Sequence, residues 1–199
     1  MKLAAHLCER RVNDVLKGGD AFLEALQTMG FRRVQINATA RNGADVSLLS
    51  SCVDNFAGLV GRHPQLEFIL QKNQETKSLW EGLLNLDTTE SGGVGGLPPN
   101  VSMLVDESKG TGVLASSWPK ASEVNYKMGY AGGIGPDTIE TVLKDIEQAG
   151  KAKRPVWIDM ESRVRSKKDG RDVFDLDKCY QVVDAVCKAG YFAHPEYME

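Results

Sequence analysis

A parallel α/β sheet is the fold that three short stretches of this chain predict. Val101-Ser102-Met103-Leu104-Val105, Met128-Gly129-Tyr130-Ala131 and Val156-Trp157-Ile158 are apolar runs of strand length, and each ends in residues suited to a binding site. The first runs into Asp106-Glu107-Ser108-Lys109-Gly110-Thr111-Gly112, the second into Gly132-Gly133-Ile134-Gly135, and the third into Asp159-Met160-Glu161-Ser162-Arg163. Parallel α/β folds collect ligands where the carboxyl ends of their strands meet, so buried strands that each deliver polar or glycine residues at that end fit this class.

The remaining elements follow in chain order. Leu3-Ala4-Ala5-His6-Leu7-Cys8 is a short apolar run that suits a strand or a helix start, since six residues do not separate the two by period; the charged Glu9-Arg10-Arg11 breaks it. Asp20 is placed to cap a helix over 21–29, with Phe22, Leu23, Leu26 and Met29 on one face and Gly30 as its stop. Val34-Gln35-Ile36-Asn37 is the next strand, and a polar turn covers 39–43. Asp45 is expected to cap a helix carrying Val46, Leu49, Val53, Phe56 and Val60. Leu66-Glu67-Phe68-Ile69-Leu70 is strand again, and Thr76 opens a short helix with Leu79, Trp80, Leu83 and Leu84.

Composition changes over 87–99 to Thr, Ser, Gly and Pro, including Gly92-Gly93-Val94-Gly95-Gly96, which reads as a flexible insertion. It precedes a strand, whereas a phosphate cradle bridges a strand to a helix. Pro136-Asp137 opens the clearest amphipathic helix, with Ile139, Val142, Leu143 and Ile146 on one side and Gly150 closing it. The segment 163–171 reads as a charged loop. Asp175 then caps a helix whose Leu176, Cys179, Val183, Val186 and Cys187 are expected to pack inward, ending at Gly190.

Six strand candidates result, where a closed (β/α)8 barrel has eight strands and about 250 residues. The expectation is a single domain over 1–199: a TIM-barrel-like parallel sheet of about six βα units, an incomplete or N-terminally truncated (β/α)8 barrel. The 199 residues carry a formal charge of −3, with the positive residues scattered, so neither nucleic acid nor an anionic membrane is an expected partner. Cys8, Cys52, Cys179 and Cys187 contain no CxxC pair and sit within apolar patterns, which favours reduced, buried thiols. With no signal-like segment at Met1-Lys2 and no apolar run of membrane-spanning length, a cytoplasmic location is expected.

From Val34 to about Lys178 the order of motifs resembles phosphoribosylanthranilate isomerase, a (β/α)8 enzyme of tryptophan biosynthesis. That family carries a strand ending in aspartate, a Gly-Gly-Ser/Thr-Gly turn and a tryptophan; here stand Leu104-Val105-Asp106, Gly110-Thr111-Gly112 and Trp118. Its Gly-Gly-Leu strand end and Pro-capped helix correspond to Ala131-Gly132-Gly133-Ile134 and Pro136-Asp137. Its last strand, Asp-Val-Ser-Ser-Gly-Val-Glu, is matched loosely by Asp159-Met160-Glu161-Ser162-Arg163-Val164-Arg165, and its Val-Gln-Leu-His strand by Val34-Gln35-Ile36-Asn37. On this alignment the chain starts at the family's third strand, and the Lys-Ile-Cys-Gly segment bearing the catalytic cysteine has no counterpart. The arginine that binds carboxylate after the second strand has none either. The alignment leaves three readings open: a truncated gene model, a fragment, or a trimmed barrel whose open edge is covered by another subunit in a homo-oligomer.

The resemblance implies a phosphorylated small molecule as ligand, no cofactor, and an isomerase reaction of the sugar-phosphate type in which Asp106 acts as acid. On the residues alone, Asp106 fits a general acid beside apolar Val105, or a cap on the turn that follows. Asp159 fits ligand contact or structural hydrogen bonding at the barrel mouth. Gly132 and Gly133 allow backbone amides to approach a phosphate, with Ser162 and Arg163 completing the site from the next loop. Arg163 stands where the family has glycine, so it either clamps the phosphate or fills the site. Lys109 is a further anion contact or a solvated side chain. Cys8, at a strand end, is a structural thiol in preference to a catalytic base. His6, His63 and His194 are too dispersed for a metal cluster or a triad and read as surface or loop residues; no metal is expected. Trp80, Trp118 and Trp157 read as packing residues. A non-catalytic ligand-binding or interaction module is the competing class of function.

Overall fold

In a computed structural model the chain forms a curled half-barrel: six parallel strands with helices on the convex side. The structure describes residues 3–86, 97–106, 108, 113–114, 118–120, 126–149 and 156–191. Strand order equals chain order: β1 (Ala4–Leu7), β2 (Arg33–Ile36), β3 (Glu67–Lys72), β4 (Val101–Val105), β5 (Lys127–Tyr130) and β6 (Trp157–Ile158). Sequential order of parallel strands is the barrel arrangement, in which each crossover helix lies outside the sheet. The expected incomplete TIM-barrel-like sheet is therefore present, with all six strands where the apolar runs placed them. No helix among the described residues is long and apolar enough to cross a membrane.

Alternation along the strands sorts the side chains. Val34 and Ile36, Phe68 and Leu70, Val101 and Met103 face outward into one large core with Val12, Leu16, Leu23, Phe56, Leu59 and Leu83 from the helices. Phe56 and Phe68 meet there edge to face, with centroids 5.8 Å apart. Each fully buried ring of this kind contributes about 1.5–3 kcal/mol over its exposed state. A second core joins Val105, Met128 and Tyr130 to Ile139, Val142 and Val182, with Trp118 set edge to face on Tyr130 at 5.4 Å. The opposite residues of each strand, Gln35, Asn37, Ile69, Gln71, Ser102, Leu104 and Asp106, line the concave face.

Several elements differ from the sequence expectation. Glu9-Arg10-Arg11 does not break the chain but begins α1 (Glu9–Leu16), because Val12, Val15 and Leu16 bury one side and the charges occupy the other. α2 (Ala21–Thr28) forms as expected, although Asp20 does not cap it: its carboxylate accepts from Arg62 Nε at 3.1 Å. Asp45 caps only a 3-10 turn, Val46–Leu48, through a bond from the Ser47 N–H at 3.2 Å. Ser50-Ser51 intervenes, and α3 starts later, at Val53–Arg62. α4 (Lys77–Leu84) and α5 (Ile139–Gln148) follow, the latter after a turn in which Thr138 Oγ1 donates to Gly133 O.

The charged loop over 163–171 is largely an antiparallel hairpin, β7 (Arg165–Lys168) and β8 (Arg171–Phe174). Asp169 and Gly170 both have positive φ, the two-residue geometry that matches hairpin twist. Asp175 caps α6 (Leu176–Lys188) as expected, accepting from the N–H groups of Asp177 and Lys178. Cys179 and Val186 face inward as expected, but the rest of the inward face differs. Val182 is buried and Cys179, Ala185 and Val186 pack on the second core, whereas Leu176 and Val183 are exposed. Cys187 is exposed as well, contrary to the reading of all four thiols as buried. Cys52 does fit that reading, and burial pushes its thiol up to about 11. His63 is buried, with Nδ1 3.2 Å from Gln27 Oε1, so it is a core-edge residue and not a surface one. Of the expected flexible loop over 87–99, residues 87–96 lie outside the described part, and Leu97 is buried against the first core.

Candidate functional site

The concave face is polar toward β1 to β3 and apolar toward β5 and β6. Register sets Cys8, Asn37 and Gln71 beside one another at the ends of β1, β2 and β3, and Asn73, Asp106, Ala131 and Asp159 in a row one step further along, with Ala131 between the two carboxylates. Barrel interiors are ordinarily filled by bulky branched side chains, so a row of amides and carboxylates here calls for partners. Gln35 Nε2 donates to Asn37 Oδ1 at 2.9 Å, and Asn37 Nδ2 donates to Cys8 Sγ at 3.4 Å. The neighbouring Glu9 is held with φ of 52°, a conformation that is unusual outside glycine and costs on the order of 1–3 kcal/mol.

Asp106 is buried at the end of β4. Its Oδ2 accepts from Gln71 Nε2 at 2.7 Å and its Oδ1 from Ser108 Oγ at 2.5 Å, while its main-chain oxygen accepts from Asn73 Nδ2 at 3.3 Å. Asn73 Oδ1 in turn accepts from the N–H groups of Glu75 and Thr76 at the start of α4. The ends of β3 and β4 are thereby tied to each other. Among the described residues, Gln71 Oε1, in a side chain only 4% exposed, has no hydrogen-bond partner, and neither has Ser102 Oγ deeper on the same face. An unpartnered buried acceptor costs on the order of 1–3 kcal/mol, and a ligand hydroxyl or amine would relieve it.

Asp159 follows β6 and is half-buried. Burial pushes its carboxyl above the ordinary aspartate range; His6 pulls it back, and the charges of Glu161 and Asp106 push it further up. His6 and Asp159, from the first and last strands of the sheet, thus lie within electrostatic reach across its open side. A folded-state value raised above the unfolded one means that the Asp159 contribution to stability is complete below the ordinary aspartate range. It is lost as pH rises through the raised value. Asp159→Asn is accordingly expected to be more stable than the parent chain toward urea at pH 7 and to converge with it at about pH 3. A variant that is less stable at pH 7 would instead identify the carboxylate as a net stabilising hydrogen-bond acceptor.

The two glycines after β5 have positive φ, 106° at Gly132 and 65° at Gly133. At Gly132 a Cβ would also come within 3.2 Å of Ser108 Cβ and the Val113 carbonyl, so the loop after β4 closes over it. Among the described residues no hydrogen bond engages the N–H of Gly132 or Gly133, and consecutive free amides in such a turn form an anion-binding concavity. Arg163 and Ser162 lie on an exposed 3-10 turn, Ser162–Val164. The Arg163 stem covers Gly135, where a Cβ would come 2.5 Å from Arg163 Cβ, and this contact brings the loop after β6 against the loop after β5. The arginine therefore rims the mouth with its side chain exposed, and it does not fill the concave face.

Of the residues expected at the site, Asp106, Asp159, Gly132, Gly133, Ser162 and Arg163 gather at the carboxyl ends of β4 to β6. Cys8 stands one layer deeper, beside Asn37 on the far side of the sheet, its sulfur held by Asn37. Lys109, like His194, lies outside the described residues. The sequence assigns Gln35, Asn37, Gln71 and Asn73 no role at the site, although Val34-Gln35-Ile36-Asn37 alternates apolar and polar and so announces amides on one face of a strand; His6, read as a surface or loop histidine, is exposed on β1. Among the described residues no group of three His, Cys, Asp or Glu is placed to hold a metal ion. Trp80, Trp118 and Trp157 pack as expected, Trp80 with its Nε1 donating to Asn73 O at 3.1 Å. Comparison with protein-family models, curated proteins and solved structures finds no match for this chain.

Proposed function

We propose that the mouth of the half-barrel binds a phosphorylated sugar or a closely related small anion and isomerises it by proton transfer, in the manner of phosphoribosylanthranilate isomerase. The observation that carries this reading is the meeting of Asp106, Asp159 and the unpartnered Gln71 Oε1 on one concave face. Three acceptors there suit the hydroxyl end of a sugar. The free amides of Gly132 and Gly133, with Arg163 at the rim, suit its phosphate. A carboxyl with a raised proton affinity beside a second, hydrogen-bonded one is the arrangement that separates acid and base roles. In the proposed reaction a carboxyl protonates the ring oxygen of the sugar as the ring opens. The proton lost from the adjacent carbon passes to a carboxylate, and the resulting enol form returns as the ketone, so no external reductant or oxidant takes part.

Calorimetric titration with a stable reduced analogue of the phosphoribosylanthranilate product, and with inorganic phosphate as reference, tests the proposal. Saturable binding tighter than phosphate, weakened about tenfold or more by Arg163→Ala, is the expected result. A folded sample that gives no heat with the analogue would remove the sugar-phosphate reading. A non-catalytic binding module is the second reading, favoured by the engagement of both Asp106 oxygens by Gln71 and Ser108. It predicts binding of the analogue without turnover of the corresponding substrate.

A further inference from the structure

The opposite end of the sheet carries a second cluster of charge. A cleft of about 380 Å³ opens at the amino-terminal ends of β2 to β5, with Arg32, Arg33, Lys127, Glu67, Gln65 and Asn100 on its lining. Parallel register produces it: Arg33 pairs with Glu67, and Lys127 stands beside Ser102 at the start of β5. Glu67 is the one acidic residue of this lining, and two cations share it. Arg33 Nε lies 3.0 Å from one carboxylate oxygen and Lys127 Nζ 4.0 Å from the other. Among the described residues Arg32 reaches one main-chain carbonyl, that of Phe31, at 3.1 Å, and no carboxylate. Three positive charges against one negative leave a surplus of two in a cleft of small-ligand size.

The walls of the cleft are fixed before any ligand arrives. The two N–H bonds of Asn100 Nδ2 are shared among three carbonyls, those of Val60, His63 and Leu66, at 3.2, 3.2 and 3.0 Å. Pro64 and Pro99 flank it with restricted backbones. The main-chain N–H groups of Arg32 and Arg33 both donate to Leu3 O at 3.2 Å, which anchors the two arginines to the preceding strand. Guanidinium forks match the oxygens of a tetrahedral dianion, and anchored walls reduce the ordering that binding requires.

We infer that this cleft is an anion site, separate from the mouth of the half-barrel, at which Arg32, Arg33 and Lys127 hold a phosphate group, free or as a monoester. Glu67 positions two of the cations and competes with the ligand for them. Removing a cation therefore weakens binding, whereas neutralising Glu67 strengthens it. The amino-terminal face of a barrel lies away from the chemistry at the strand ends, so the site serves anchoring or regulation.

Titration of the full chain with inorganic phosphate and with glucose 6-phosphate at low ionic strength tests the inference, read by calorimetry and by ³¹P line broadening. Arg32→Ala and Lys127→Ala are each expected to weaken phosphate binding about tenfold. Both probes are titrated in the Arg163→Ala background, which weakens binding at the mouth, and there Glu67→Gln is expected to tighten phosphate binding several-fold. Equal affinities for the two probes assign the site to free phosphate, and a preference for glucose 6-phosphate assigns it to a monoester. Absence of phosphate binding in that background, or titrations of Arg32→Ala and Lys127→Ala that match it, would overturn the inference. Because the sugar analogue is tested through Arg163 and phosphate through Arg32, either site can fail without the other.

Discussion

Asp106→Asn is expected to lower turnover of a sugar-phosphate substrate by about 10²–10⁴-fold, the range that a positioned general acid supplies. The substitution preserves shape and removes the carboxyl that the proposed reaction uses for proton transfer. The donors on this side chain include Gln71 Nε2 at 2.7 Å and Ser108 Oγ at 2.5 Å, and asparagine offers one acceptor oxygen in place of two. The structure can absorb the change. Ser108 can turn its hydroxyl to accept, or the Gln71 amide can reverse so that its unpartnered Oε1 takes a bond from the new amide. A stability loss of no more than about 1–3 kcal/mol is thus expected, small enough to leave the chain folded. Turnover and urea denaturation measured on the same preparation separate the two roles of Asp106. If turnover persists while stability falls, the aspartate is the cap of the turn after β4 and the acid must be sought at Asp159.

The same pair of roles marks how far the residues alone could be read. The strands were legible because runs such as Val101 to Val105 are apolar on both faces, as expected for a sheet covered by helices outside and curled on itself inside. α1 was not, because a helix whose first turn is Glu9-Arg10-Arg11 shows its charged side first and its buried Val12, Val15 and Leu16 only afterwards. The hairpin of β7 and β8 carried its own signal in Asp169-Gly170, masked by the density of charge around it. At the site, Asp106 and Asp159 stood out as acids ending apolar runs. Gln71 and Asn73 did not, since nothing local distinguishes a loop amide from one that register delivers beside a carboxylate of the neighbouring strand's end. Their role comes from pairing of distant segments, which periodicity within one segment does not report. Part of the inward face of α6 was misjudged for the same reason. Leu176 and Val183 fit an apolar stripe, but the available core lies on the side of Cys179, Val182 and Val186.

Gly129→Val is expected to destabilise the chain by about 3 kcal/mol, the upper end of the usual cost of overpacking. Gly129 and Trp157 are direct partners in the β5 and β6 register, and the indole lies across the glycine, so a Cβ built there meets Cε2, Nε1 and Cδ2 together. Ile69, Leu104 and Ala131 complete this inner cluster. β6 contributes only two residues to the sheet, so the indole seated on Gly129 is a large part of what holds this edge strand in place. Asp159 lies two residues beyond Trp157, and its N–H donates to Tyr130 O at 2.9 Å. A valine at 129 must therefore displace the indole, loosen β6 and carry the Asp159 carboxyl away from Asp106. Urea denaturation of Gly129→Val, Trp157→Ala and the double variant forms the decisive cycle. With the indole gone the valine has room, so an interaction energy of about 1–3 kcal/mol is expected. Additive losses would show that the valine strains β5 itself. Binding of the sugar analogue should follow the same pattern, weakened by the valine while the indole is present and partly restored when it is removed, because the site depends on where β6 ends.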